Sequence, residues 1–379
     1  MADPILVVLF LRGGADGLNL VAPTADKDYI AARPRRLRVL RKGDEAGLTL
    51  ENPVADVDFR FHAQARGLAE LYDAGELAVV HAAGLTDGTR SHFDAEDRIE
   101  RAAPAAQSGG WLGRWLETAR PEGILPALAV GSAMPESMSG ASNVAVAEEM
   151  EQLILASGYD ISRLLRQRLQ AGFGAHPILA APIRNLIGLG EALEKRLWDS
   201  KTQALGKYVP NVDYPENNDL ARSLMTLAQA IKLDIGLRVA TVDFDGWDTH
   251  FDQADDFARQ TDSLSSALMA FWRDLRHRRD DTCVVVMSEF GRRLRANRSG
   301  GTDHGHGNAM MVLGGTVRGR RMLGHWPGLA NDALNDGADL AITTDYRHIL
   351  AEVMARHMQT PDLADLFPGF QPDFRGLFA

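Results

Sequence analysis

Apolar residues in this chain fall into short unbroken runs, separated by longer stretches in which they recur every three or four positions. The runs at 5–11, 77–81, 125–130, 237–242, 282–287 and 309–313 are rich in β-branched residues and too short for helices. They read as strands buried on both faces. Helical spacing fills the intervals, as in "FHAQARGLAELYDAG", residues 250–277 and "DYRHILAEVMARHM". This alternation predicts an α/β chain with a mostly parallel central sheet covered by helices on both sides, in one unit over 1–379. Residues 143–234 differ: "DISRLLRQRLQ" and "IRNLIGLGEALEKRLWDSK" are long and amphipathic, and no strand pattern interrupts them. A helical insertion or cap is expected there, with "YVPNVDYPENN" as an exposed crossing loop.

At 379 residues and 45% hydrophobic, the chain can bury a substantial core and suits one large α/β unit or two domains. The 41 Lys+Arg against 51 Asp+Glu give a net charge of −10, which disfavours general affinity for nucleic acid or anionic membrane. An anionic substrate would therefore need a local positive site, either a metal or a few arginines. The single cysteine, Cys283, lies within "TCVVVM" and reads as a small buried hydrophobe, not a reactive thiol. No stretch reaches the about 18 apolar residues of a membrane span. The opening "ILVVLFL" has no basic segment before it and no small-residue cleavage site after it, so it reads as a strand and not a signal peptide. The chain as written is expected in the cytoplasm, or in the periplasm if an export signal has been removed.

In such sheets ligands bind beyond the carboxyl ends of the strands, which makes the polar residues there the candidates for chemistry. The first run leads into "RGGADGLN", with Arg12, Asp16 and Asn19, where paired glycines permit tight turns and close backbone approach. Taken alone, this stretch reads first as a plain glycine turn with Asp16 as a helix cap. The second leads to "TDGTRSHFDAEDRIE", where Ser91 opens a helix whose N-terminus favours an anion or a nucleophile's developing charge. Ser91 with Asp94 also fits a capping box, and His92 a surface position on that first turn. "DGWDTHFDQ" sets Asp248 and His250 two apart, on one side of an extended segment, as two metal ligands require. "SEFGRR" places Glu289 at a strand end as a hard-metal ligand, a general base or a salt-bridge partner, with Arg292 close behind. "GTDHGHGN" gathers Asp303, His304 and His306 in a glycine-rich loop, which is either a ligand loop or a polar turn. Their convergence on one edge of one sheet favours a shared site.

Together these stretches resemble a known family. "VVLFLRGGADGLNLVAP", "RSHFDAE", "GWLGRWL", "GWDTHF", "VVVMSEFGRR", "GTDHGHGNAMMVLGG", "WPGL" and "TTDYRHIL…FPGF" are similar, in order and over nearly the whole chain, to the bacterial domain of unknown function 1501. Its members are often described as twin-arginine signal proteins and are grouped with the alkaline phosphatase and sulfatase superfamily. The resemblance implies an alkaline phosphatase-like α/β/α sandwich with a metal-dependent hydrolase site. By position, Asp16 matches the first-strand metal aspartate and Ser91 the nucleophile, and Asp248 with His250 matches a later ligand pair. Where many members carry Asp-His, this chain has Glu289 and Phe290. Either Asp303 and His304 supply that pair, with His306 as a further ligand, or the site holds one ion or none.

The activity these readings lead to is metal-dependent hydrolysis of a small phosphate or sulfate ester with Ser91 as nucleophile. Asp16, Asp248, His250, Asp303, His304 and His306 would hold one or two divalent ions, Zn²⁺ or Mn²⁺ by donor type. Glu289 would act as ligand or base, and Arg12 or Arg292 would clamp the anion. The alternative is a non-catalytic ligand-binding protein on a scaffold that has lost the chemistry.

Overall fold

Nine strands form the main sheet in the computed structural model, which describes residues 3–51, 53–54, 57–154, 159–199, 201–202 and 204–379. From one edge the order is Arg321–Leu323, Leu77–Gly84, Asn308–Gly314, Thr282–Met287, Ile5–Leu11, Val239–Phe244, Ala127–Val130 and Val144–Ala147, with Thr344–Asp345 also paired to Leu77–Gly84. Ile5–Leu11 is central and parallel to both neighbours, with Val8 beside Thr241 on one side and Val285 on the other. Asn308–Gly314 alone in this order runs against its neighbours. The expected mixed α/β architecture with a mostly parallel sheet is therefore what the chain adopts.

Alternation along the central strand assigns the two faces. Ile5, Val7, Leu9 and Leu11 join the apolar layer under helices Arg66–Asp73, Asp219–Lys232 and Gln253–Leu275. Leu6, Val8 and Phe10 face the other way, under His92–Arg101, Trp111–Ala119 and Tyr346–Glu352. A strand buried on both faces has no polar side to show, which is why its sequence is an unbroken apolar run. Cys283 is buried within this sheet, and burial pushes its thiol up.

The expectation of no strand in 143–234 is corrected at Val144–Ala147, which pairs in parallel with Ala127–Val130, and at the two-residue strands Trp198–Asp199 and Ala204–Leu205, which pair antiparallel with each other. The alternating valine and alanine of Val144–Ala147 carry little apolar signal because an edge strand is only partly covered. Helices Tyr159–Phe173, Ala180–Leu197 and Asp219–Lys232 account for much of the remainder, while 155–158, 200 and 203 lie outside the described residues. The crossing loop 208–218 is anchored as well as exposed. The buried carboxylate of Asp274 accepts hydrogen bonds from the Tyr208 hydroxyl at 2.6 Å, the Tyr214 hydroxyl at 3.1 Å and the Asn211 N–H at 2.6 Å, and pairs with Lys232. No helix among the described residues is long and apolar enough to cross a membrane.

Candidate metal centre

Because Asn308–Gly314 is antiparallel, the loop that precedes it, 301–307, lies at the same edge as the loops that follow the parallel strands. Glycine lets these loops press together. Gly13 has φ +114°, and a Cβ there would stand 2.4 Å from the Asp248 nitrogen; one on Gly305 would stand 2.4 Å from the Arg292 carbonyl carbon. Arg292, 1% exposed, ties the loops by donating to the carbonyls of Gly14 (2.7 Å), Gly13 (2.5 Å), Thr302 (2.9 Å) and Trp247 (3.2 Å). Its remaining contact is the Asp248 carboxylate, at 2.6 Å.

Three imidazoles gather around that same carboxylate oxygen. From Asp248 Oδ1, His250 Nε2 lies at 3.1 Å, His304 Nε2 at 3.3 Å and His92 Nε2 at 3.6 Å. His250 Nε2 and His304 Nε2 are 2.9 Å apart. On each ring the other nitrogen faces an oxygen acceptor: Glu289 Oε1 at 2.7 Å for His92, Asp303 Oδ1 at 3.3 Å for His250 and the Arg90 carbonyl at 2.7 Å for His304. An acceptor at Nδ1 holds a proton there, and in a neutral ring that leaves the Nε2 lone pair toward its neighbours. Lone pairs 2.9 Å apart repel unless a proton or a cation lies between them. Burial lowers the proton affinity of His304.

Two further observations fit a cation. His92 Nε2 is buried without a hydrogen-bond partner, the condition of a ligand atom and a costly one otherwise. Donors at about 2.0 Å from one tetrahedral ion stand roughly 3.3 Å from each other, close to the 3.1–3.6 Å from each ring to Asp248 Oδ1, and His92, Asp248 and His304 each offer a ligand atom within 4.8 Å of the other two. Three imidazoles and one carboxylate suit Zn²⁺ or Mn²⁺. The supporting charges are also set: burial would raise the Asp248 carboxyl, but Arg292 outweighs it and holds it below its ordinary value. The hydrogen bond with Glu289 raises His92. Phe290 closes one side, with its ring 4.9 Å from those of both His92 and His304.

Of the residues singled out in the sequence, Asp248, His250 and His304 come together, and Asp303 and Glu289 stand behind them as the acceptors that orient His250 and His92. Asp16 is elsewhere: it is fully buried, with Arg33 on both oxygens at 2.7 and 2.9 Å and Gln253 at 2.6 Å. Turning it toward an ion would strand a buried arginine, at a cost of about 3–5 kcal/mol. His306 is buried apart, in the field of Arg90 and Asp339. Arg12 is engaged by Glu100 at 2.5 Å, Asp243 at 3.0 Å and Glu96 at 3.7 Å, and Arg292 is enclosed, so neither guanidinium is offered to a ligand. Ser91 occupies the N-cap position of His92–Arg101, exposed, with no capping hydrogen bond from its side chain.

His92 is the member that sequence reasoning left out of the ligand set. Its one signal is its place beside Ser91 at a helix start; the sequence does not show that this helix points its first turn at the loop carrying Asp248.

Residues 196–365 match the family model described as Protein of unknown function (DUF1501). The matched segment includes Asp248, His250, Glu289, Arg292 and the 301–307 loop, while His92 precedes it. No curated protein matches the chain. Among solved structures, it is similar to Ps i-CgsB in complex with k-i-k-neocarrahexaose, at 10% identity over 100% of this chain and 76% of that one, TM-score 0.44. It is also similar to the phosphonate monoester hydrolase of Agrobacterium radiobacter, at 10% identity over 98% and 79%, TM-score 0.39. The zinc complex of the C-terminal periplasmic domain of EcEptC from Escherichia coli shares 8% identity over 83% and 74%, TM-score 0.39. At these identities nothing of their chemistry passes to this chain.

Proposed function

We propose that this protein is a metal-dependent hydrolase of small phosphate or sulfate esters, in which His92, Asp248, His250 and His304 hold one divalent cation and Ser91 is the nucleophile. The observation that carries this reading is the convergence of three imidazoles, each with Nδ1 facing an acceptor, on one oxygen of Asp248. When bound, the ion would neutralise ester charge and make a nearby hydroxyl easier to deprotonate. The chain's own residues supply the rest. Glu289, Asp303 and the Arg90 carbonyl fix the ring tautomers, Arg292 fixes Asp248, and Phe290 keeps water from one side of His92 and His304. Ser91 keeps its hydroxyl free of a cap bond at the start of a ten-residue helix, whose N–H groups and dipole favour an anion. That helix end replaces Arg12 and Arg292 as the expected anion contact.

Elemental analysis of protein purified without chelator or nickel resin tests the site. About one zinc or manganese per chain is expected in the wild type, with loss in His250→Ala, His304→Ala and His92→Ala. Full metal content in all three variants would sink the assignment. Ser91→Ala should keep the metal and lose turnover of aryl phosphates and sulfates; retained turnover would remove Ser91 as nucleophile. The engagement of Arg12 and Arg292 by carboxylates and carbonyls favours a second reading, a metal-binding protein without ester turnover. A wild type with stoichiometric metal and no activity on any ester tested would support it.

A further inference from the structure

Beyond the carboxyl ends of Ala127–Val130 and Val239–Phe244 lies a cavity of about 1020 Å³, roofed by the segment that follows Val144–Ala147 and by helix Asp219–Lys232. Its lining carries Glu148, Glu149, Glu151, Asp219, Asp243 and Asp245 against only Lys207 and Arg222; of these carboxylates Asp219 is paired with Arg222 and Asp243 with Arg12, and the excess of negative charge rests on the three glutamates and Asp245. Carboxylates around a concave, low-dielectric wall concentrate cations. The same cavity is lined by Gln229, 6% exposed, whose Nε2 has no hydrogen-bond partner. A buried amide N–H left unpaired is costly unless a ligand supplies an acceptor.

Asp243, Asp245 and Pro135 also line a smaller cavity of about 440 Å³ that contains Arg12, Phe93 and Glu96. Glu96 reaches the metal centre, its carboxylate within 4.8 Å of ligand atoms of His92 and Glu289. Arg12 contributes little positive field there, being matched by Glu100 and Asp243. The acidic lining thus continues from the large cavity to the edge of the histidine cluster.

We infer that this cleft binds the far end of the substrate, and that this end is a protonated amine that also bears a hydroxyl or carbonyl oxygen. The amine is held by the carboxylates, and the oxygen accepts from Gln229 Nε2. The inference rests on the proposed hydrolase only in calling this ligand the substrate; binding is measured without turnover. It adds a selection by charge at a distance from the ion: a zwitterionic ester, anionic at the metal and cationic in the cleft, is preferred over a purely anionic one.

The test is calorimetric titration at pH 6 and 150 mM NaCl with a glucosamine trimer and with its fully N-acetylated form, which keeps the oxygens and loses the charge. The amine form is expected to bind at least about tenfold more tightly. Glu149→Gln combined with Asp245→Asn, both at exposed positions, should remove that preference. Gln229→Leu should weaken the amine form about tenfold, the scale of one lost hydrogen bond to a ligand. Its urea midpoint, equal to or above that of the wild type because an orphan donor is gone, would certify the fold. Equal affinity for the two trimers, or unchanged amine binding in either variant, overturns the inference. Metal content is measured on the same samples. Amine preference without bound metal supports the cleft and sinks the hydrolase reading, whereas metal without amine preference sinks the cleft alone.

Discussion

Replacing Arg292 with methionine keeps a long apolar stem and removes the guanidinium that joins four loops at the sheet edge. The carbonyls of Gly13, Gly14 and Thr302 lose the donor that serves them, whereas the Trp247 carbonyl keeps the Thr249 N–H at 2.9 Å. Three buried acceptors at roughly 1–1.5 kcal/mol each give about 3–4.5 kcal/mol. The ion pair with Asp248 adds little, about 1 kcal/mol or less, since that side chain is 49% exposed. The expected loss is therefore about 3–5 kcal/mol, measured by urea unfolding with chelator present so that metal linkage does not contribute. Arg292→Lys should fall between the two, because three donors on one nitrogen cannot span carbonyls set in different directions. The two variants should also bind metal less tightly by about 10–100-fold, the usual effect of releasing a ligand's support. A loss below about 1 kcal/mol in Arg292→Met would refute the view that this side chain holds the loops together.

Ser91→Ala should change unfolding stability by less than about 0.5 kcal/mol, because the side chain makes no capping bond; a loss near 1 kcal/mol would restore the cap reading. Burial pushes the Asp274 carboxyl up, but Lys232 and Tyr208 outweigh it and hold it below its ordinary 3.8. A folded value below the unfolded one means that its stabilisation is complete above about pH 5 and is lost as pH falls through the unfolded and then the folded value. The stability gap between wild type and Asp274→Asn, roughly 3 kcal/mol at pH 7, should therefore shrink between pH 5 and pH 3, and a constant gap would contradict the assignment. Glu352, 2% exposed, accepts the N–H groups of Arg375 and Leu377 at 2.6 Å, Gly376 at 3.1 Å and Phe378 at 3.3 Å. Glu352→Ala should speed hydrogen exchange at those four amides about 10–100-fold, with no change at the sheet core.

What the sequence determines by itself is set by local periodicity. Strands Ile5–Leu11 and Thr282–Met287 carry the bounds their apolar runs predict, and the ends of the others move by a few residues. Asp248 and His250 act on one side because an extended D-x-H segment must place them so, and "GTDHGHGN" contributes His304 as a ligand candidate with Asp303 behind His250. Strand direction and loop contact are not local, and here the tertiary structure decides. Only the antiparallel course of Asn308–Gly314 brings the 301–307 loop to the edge where the parallel strands end. Only the packing of His92–Arg101 turns His92 inward to Glu289, 197 positions away, and only the buried Arg33 and Gln253, 17 and 237 positions away, claim Asp16. The chemistry of each donor is written in its residue type; which donors meet is set by what each is packed against.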